Sequence, residues 1–166
     1  SFFYLSDMKV IFLDIDGVLN SETFAIWCYH NKSFIQEGGS NFINPKVVKL
    51  ITDLCEEHDV KLVISSSWRL YDLESTIDDF KRYRDLVPLI PYIVGVTPRV
   101  LDDRVWQKRG EEIEDYLNKH TEVENYCIID DDSDMLEEQL SHFLRTNYHE
   151  GLTKDHIVLI KNILNL

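Results

Sequence analysis

Residues 9–20 read KVIFLDIDGVLN, and the fold follows from this stretch. Lys9–Asp14 is an almost unbroken apolar run, the pattern of a strand covered on both faces rather than of one with a wet side. It runs directly into Asp14-Ile15-Asp16-Gly17-Val18-Leu19. In extended backbone, residues two apart project the same way, so the two carboxylates lie side by side. Like charges held that close require a proton or a cation between them. Gly17 lets the chain turn sharply at this point. Aspartates also cap ordinary polar turns, but such a turn has no need of a buried strand leading into it.

Outward from this strand, strand and helix patterns alternate. Asn44-Pro45 reads as an N-cap followed by proline at the first helical position. Val47, Leu50, Ile51, Leu54 and Cys55 form the apolar stripe of the helix that follows. Val60–Ser65 is a second apolar strand, Leu73–Arg84 a charged helix stopped before Pro88, and Tyr92–Val96 a short third strand. Arg104–His120 predicts a long polar helix with Ile113, Tyr116 and Leu117 on one side. Tyr126–Asp130 is a fourth strand, Asp134–Leu140 a short helix and His142–Thr146 a fifth strand. Thr153 caps a last helix carrying Ile157, Ile160 and Leu164. This alternation implies an α/β protein: a Rossmann-like three-layer sandwich around a central five-stranded parallel sheet. Ligands of such sheets bind beyond the carboxyl ends of the strands. Three strands here end in Asp14, Ser65 and Asp130, so the reactive side chains converge on one rim.

The 166 residues suit one domain, residues 9–166, with a short insert at 21–44; residues 1–8 read as a leader or appended remnant. A hydrophobic fraction of 44% is that of a packed chain and excludes intrinsic disorder. No apolar run is long enough to span a bilayer, and the first residues lack a basic n-region, so no membrane partner is expected. Thirty acidic residues against 17 basic ones give a net charge of −13, which argues against a general nucleic-acid coat but leaves room for a local basic groove. Cys28, Cys55 and Cys127 form no CxxC pair, and the histidines form no zinc spacing. A reduced, cytoplasmic setting is the simplest reading. The oligomeric state is left open.

Two further motifs carry chemistry. Ser65-Ser66-Ser67-Trp68-Arg69 ends the second strand with hydroxyls and free amides that suit phosphoryl oxygens. Asp130-Asp131-Asp132-Ser133-Asp134 ends the fourth with carboxylates that repel unless a hard cation sits among them, and Mg²⁺ favours oxygen ligands. Arg104, Lys108 and Arg109 lie before the fourth strand, where one cation near the helix start can neutralise both a phosphate and a carboxylate.

Strand–DxDGV, strand–Ser, a basic residue and strand–DD, in that order, resemble the haloacid dehalogenase (HAD) superfamily of phosphotransferases. IFLDIDGVLN, ISSSWR, the RGEEI of Arg109–Ile113, IDDDSDM and the R-T-x₄-GLT of Arg145–Thr153 look like the HAD domains of "Swiss Army Knife" RNA-repair proteins. More distantly they resemble the phosphatase half of polynucleotide kinase-phosphatases. The resemblance implies that Asp14 attacks phosphorus to form an aspartyl-phosphate and that Asp16 protonates the leaving oxygen, then activates water. It implies Mg²⁺ held by Asp14, the Asp16 carbonyl and Asp131, with Asp130 behind a water. Ser65 and Arg109 would hold the transferring oxygens. Ser66 and Lys108 are the alternatives for those two roles, and either Asp132 or Asp134 assists the metal. A cap domain, usual in relatives that act on small metabolites, has no room in residues 21–44. An open rim suits a phosphorylated macromolecular end, RNA or DNA, with Trp68 and Arg69 as substrate contacts and the aromatics Phe24, Trp27, Tyr29 and Phe34 of the insert as stacking candidates.

The competing readings are a nucleotide or small-metabolite phosphatase and a catalytically inactive HAD interaction module. A receiver domain is excluded: it needs an aspartate at the third strand and a lysine at the fifth, where this chain has Gly95-Val96-Thr97-Pro98 and Arg145-Thr146.

Overall fold

The computed structural model describes residues 7–32, 42–99 and 107–166. Most of the leader (residues 1–6), Phe34 of the insert and Arg104 lie outside the described residues. Among those described, β1 (Met8–Leu13), β2 (Val60–Ile64), β3 (Ile93–Val96), β4 (Val123–Asp130) and β5 (Phe143–Arg145) form one sheet in the order β3-β2-β1-β4-β5. Every neighbouring pair is parallel. The helices are α1 (Glu22–His30), α2 (Pro45–His58), α3 (Leu73–Phe80), α4 (Arg109–Lys119) and α5 (Lys154–Leu164).

The central strand alternates between two cores, as a two-period side-chain pattern requires. Ile11 and Leu13 join Leu62, Ile64, Cys127 and Ile129 on the face covered by α2 and α5. Val10 and Phe12 join Val63 and Ile128 on the face covered by Ile113 and Tyr116 of α4. Phe12 meets Tyr116 and Tyr126 edge-on at 5.6 and 5.7 Å, contacts worth about 1 kcal/mol each beyond burial. The chain lays β2 and β3 on one side of β1 and returns to lay β4 and β5 on the other. The resulting switch point, between β1 and β4, is where open α/β sheets bind ligands. Register then decides what meets there. Leu13 pairs with Ile64 and with Ile129, so Asp14, Ser65 and Asp130 come level at the same edge.

Local signals set the helix starts. Ser21 Oγ accepts from Phe24 N–H to begin α1 inside the insert. Asn44 Oδ1 accepts from Lys46 N–H to begin α2, and Asp72 Oδ1 accepts from Ser75 N–H to begin α3. Each cap satisfies an amide that the first helical turn leaves without a partner.

Several expected boundaries move. The helix expected over Leu73–Arg84 ends at Phe80, after which tight turns carry Asp85 and Leu86 into the interior. Tyr92 belongs not to β3 but to a 3-10 turn, Val87–Tyr92, which contains Pro88 and Pro91. The long helix expected from Arg104 begins at Arg109, because Lys108 is extended, with ψ 148°. The short helix expected over Asp134–Leu140 is instead a 3-10 turn, Glu137–His142. The buried Gln139 explains the change: its Oε1 accepts from Leu136 N–H and its Nε2 donates to Gly110 O, ties that an α-helix begun at Asp134 would break. Among the described residues, no helix is long and apolar enough to cross a membrane.

Candidate active site

Beyond β1 the backbone stays in the sheet for one more residue, with Asp14 N–H donating to Ile129 O at 3.0 Å. It then turns: Val18 and Leu19 both donate back to Ile15 O. Gly17 sits at φ 76°, and a Cβ there would collide with the Asp131 carboxylate. Glycine is needed twice over, for the left-handed backbone and for the close approach of the two loops.

The turn is braced by the R-T-x₄-GLT segment. Arg145 Nε donates to Asp131 O at 3.0 Å, Thr146 Oγ1 donates to Gly17 O at 2.7 Å, and Leu152 N–H donates to Val18 O at 2.9 Å. Gly151, at φ 68°, allows that last strap to pass close to the Val18 and Asn20 carbonyls. Residues more than a hundred positions away thus fix the loop that carries Asp14 and Asp16.

Ligand atoms of Asp14, Asp130 and Asp131 all lie within 4.8 Å of one another. Burial pushes the Asp14 carboxyl up to about 6, against the pull of Arg109 and of hydrogen bonds from Ile15, Asp130 and Ser66. Burial, then the Asp14 charge, pushes Asp130 up to about 8. Carboxyls this crowded hold protons or a cation. The site fits a hard divalent ion: its donors are all oxygen, and Asp130 Oδ2 is buried with no hydrogen bond among the described residues, only the 3.4 Å ion pair with Arg109 Nε. Asp132 is exposed, and Asp134 Oδ2 accepts the Arg109 N–H at 3.0 Å, so neither side chain joins the trio.

Ser65 follows β2, its N–H bound to Leu13 O; its hydroxyl is buried and unpartnered among the described residues. Ser66 Oγ accepts from Trp68 N–H and helps hold the charge of Asp14. Arg109 opens α4 at the rim with Nε 3.4 Å from Asp130 Oδ2 and Nη1 3.8 Å from Glu112. The adjacent Lys108 is exposed. Asp16 stands outside the carboxylate trio, its side chain bound by Asn20 and Trp68.

The two expected substrate contacts, Arg69 and Trp68, both hold partners within the chain. Arg69 is 2% exposed. Its Nε donates to Thr97 O, Nη1 to Ser66 O and Nη2 to Pro98 O, and Nη2 pairs with Glu112 at 2.8 Å. A guanidinium so committed cannot reach a distant phosphate; it ties the serine loop to α4 through the same Glu112 that meets Arg109. Trp68 is half-buried, and its indole N–H is spent on Asp16.

Sequence reading missed Asn20, Glu112, Thr97 and Thr146. Asn20, Glu112 and Thr146 lie inside quoted motifs, where the following Asn of DGVLN, the second Glu of RGEEI and the Thr of R-T-x₄-GLT were the available signals. Thr97 acts through its carbonyl, for which no sequence signal exists.

A family model described as the HAD domain in Swiss Army Knife RNA repair proteins matches residues 10–157. Searches of curated proteins and of solved structures return no match. The match covers every motif residue discussed above, and at the level of the superfamily it supports a phosphatase-type hydrolase. The chain therefore belongs to the HAD domains of Swiss Army Knife RNA repair proteins.

Proposed function

We propose that this domain is a Mg²⁺-dependent phosphomonoesterase that acts through an aspartyl-phosphate on Asp14 and takes the terminal phosphate of a nucleic acid. The observation that carries the chemistry is the meeting of three carboxyls, Arg109 and the buried, unpartnered Ser65 hydroxyl at one strand edge. Mg²⁺, when bound, would be held by Asp14, Asp131 and the Asp16 carbonyl, with Asp130 behind a water, and would supply charge neutralisation for the nucleophile and the transferring group.

The chain's own residues do the rest. A carboxylate oxygen of Asp14 forms a bond to phosphorus as the ester P–O bond breaks, and Asp16 gives its proton to the departing oxygen. Asp16 then takes a proton from water, whose oxygen attacks phosphorus; the Asp14–phosphorus bond breaks and inorganic phosphate leaves. Ser65 and Arg109 hold the equatorial oxygens, the positioning that phosphoryl transfer chiefly requires.

The nucleic-acid end is supported by the RNA-repair setting of the family and by the shape of the rim. A groove of about 810 Å³ is lined by Asp131, Arg145, Asn147, Tyr148 and His156, with Glu150 and Asp155 also in its wall. The test is a turnover screen of oligonucleotides with 3′-phosphate, 5′-phosphate or cyclic phosphate beside mononucleotides and phosphopeptides. Preference for an oligonucleotide end supports the reading, and preference for a mononucleotide or phosphopeptide overturns the substrate class.

A further inference from the structure

Asp16 is held from two sides. Its Oδ1 accepts from Asn20 Nδ2 at 2.8 Å, and Asn20 Oδ1 in turn accepts from Gly17 N–H at 2.8 Å. Its Oδ2 accepts the indole N–H of Trp68 at 3.0 Å. Trp68 arrives from the serine loop after β2, a different part of the chain. Its ring lies 5.4 Å from that of Tyr83, it packs on the core beneath, and its backbone N–H is fixed by Ser66 Oγ. An indole N–H donates only. It can therefore fix a carboxyl oxygen in both protonation states without competing for the proton.

We propose that Trp68, with Asn20 opposite it, is a positioning residue that aims the Asp16 carboxyl at the departing oxygen. The inference rests on the reading of Asp16 as the acid and base. The half-buried Asp16 carboxyl has two side-chain torsions to lose before proton transfer, and two donors on opposite oxygens remove both. A displacement of about 1 Å at a catalytic group costs roughly 10²-fold.

Leaving-group chemistry separates aim from architecture. An alkyl phosphate must have its departing alkoxide protonated, whereas p-nitrophenolate departs without a proton. Because kcat/KM reports steps only through the first P–O cleavage, it isolates the acid role. Trp68→Phe keeps the ring and removes the donor. It is expected to lower kcat/KM for an alkyl phosphate roughly 10²-fold and for p-nitrophenyl phosphate no more than about threefold. Asn20→Ala loosens Asp16 from the other side and is expected to show the same selectivity. Asp16→Ala calibrates the scale: if it harms both esters alike, the acid reading itself fails. If Asp16→Ala discriminates between the esters while Trp68→Phe and Asn20→Ala do not, the positioning proposal fails alone. An activity-free check uses the indole N–H proton resonance of Trp68, identified by its loss in Trp68→Phe. That resonance is expected to shift in Asp16→Ala, and an unmoved resonance would overturn the contact.

Discussion

At the scale of single residues, the proposed chemistry rests on Asp14 and its crowded neighbours. Asp14→Asn keeps the shape and removes the proposed nucleophile, so turnover is expected to fall by at least about 10³-fold with the melting temperature preserved; activity kept within about tenfold removes Asp14 from that role. The same crowding gives a pH signature. Asp14 and Asp130 are raised from an ordinary 3.8 to about 6 and about 8. Between those limits the folded, metal-free chain binds more protons than the unfolded chain. Stability of the metal-free protein therefore falls as pH climbs from about 4 to about 8. A divalent ion replaces those protons. The rise in melting temperature on adding Mg²⁺ is expected to be larger near pH 8 than near pH 5, by calorimetry, and an equal or reversed difference counts against the cluster as the ion's site. Asp14, Ser65 and Asp130 were legible as rim residues because each directly ends an apolar strand; Asp16 was legible from its two-residue spacing to Asp14, and Arg109 only through the RGEEI resemblance, since the helix was expected to start at Arg104. Trp68, the partner of Asp16, was legible only as a residue near the site. Its role depends on where an indole N–H points, and that is decided by packing against Tyr83 and the core rather than by spacing in the chain.

At the scale of elements, the alternation of apolar strands and striped helices made all five strands and the parallel sheet readable, because burial on both faces leaves a pattern that survives without tertiary knowledge. The misreadings fall where a long-range tie overrides a local preference. Gln139 reaches Gly110 and turns a promising helix into a 3-10 turn. Arg69 is the costlier case, because a basic residue after a strand looks like a phosphate contact until its partners are known. Buried against Glu112 and three carbonyls, it joins the serine loop to α4 and so steadies Arg109. Removing one member of such a pair strands the other. Arg69→Ala is expected to lose about 3 kcal/mol of stability in denaturant titration. Arg69→Lys, which cannot reproduce the planar fork, is expected to recover only part of this. Neither is expected to change the ratio of activities on an oligonucleotide and its mononucleotide; a ratio that narrows in a stably folded variant would restore Arg69 to the substrate.

At the scale of the whole molecule, the question is how an acidic chain grips the nucleic-acid end proposed for it. The net charge is −13, and Arg69 is unavailable to a backbone phosphate. On the proposed substrate, stacking is then expected to contribute beside Arg145, the cation that lines the same groove. Tyr148 suits that role: it lines the groove that includes Asp131, and 58% of it is exposed. A base laid on an aromatic ring gains about 1–3 kcal/mol and needs no counter-charge. Binding energy collected there, away from the reacting phosphorus, can be used to lower the chemical barrier. An oligonucleotide with a terminal phosphate is therefore expected to have a higher kcat/KM than the matching mononucleotide. Tyr148→Ala is expected to lower kcat/KM for the oligonucleotide by roughly tenfold or more while leaving p-nitrophenyl phosphate unchanged. Because the exposed ring carries little of the fold, its loss is not expected to move the melting temperature. Salt supplies the independent check. Phosphate contacts made by lysine and arginine would weaken binding steeply as ionic strength rises. A stacking contact on an acidic protein instead gives a shallow response, or a gain as mutual repulsion is screened. A steep loss of oligonucleotide activity with salt, together with an inert Tyr148→Ala, would place the substrate on a basic surface elsewhere in the chain.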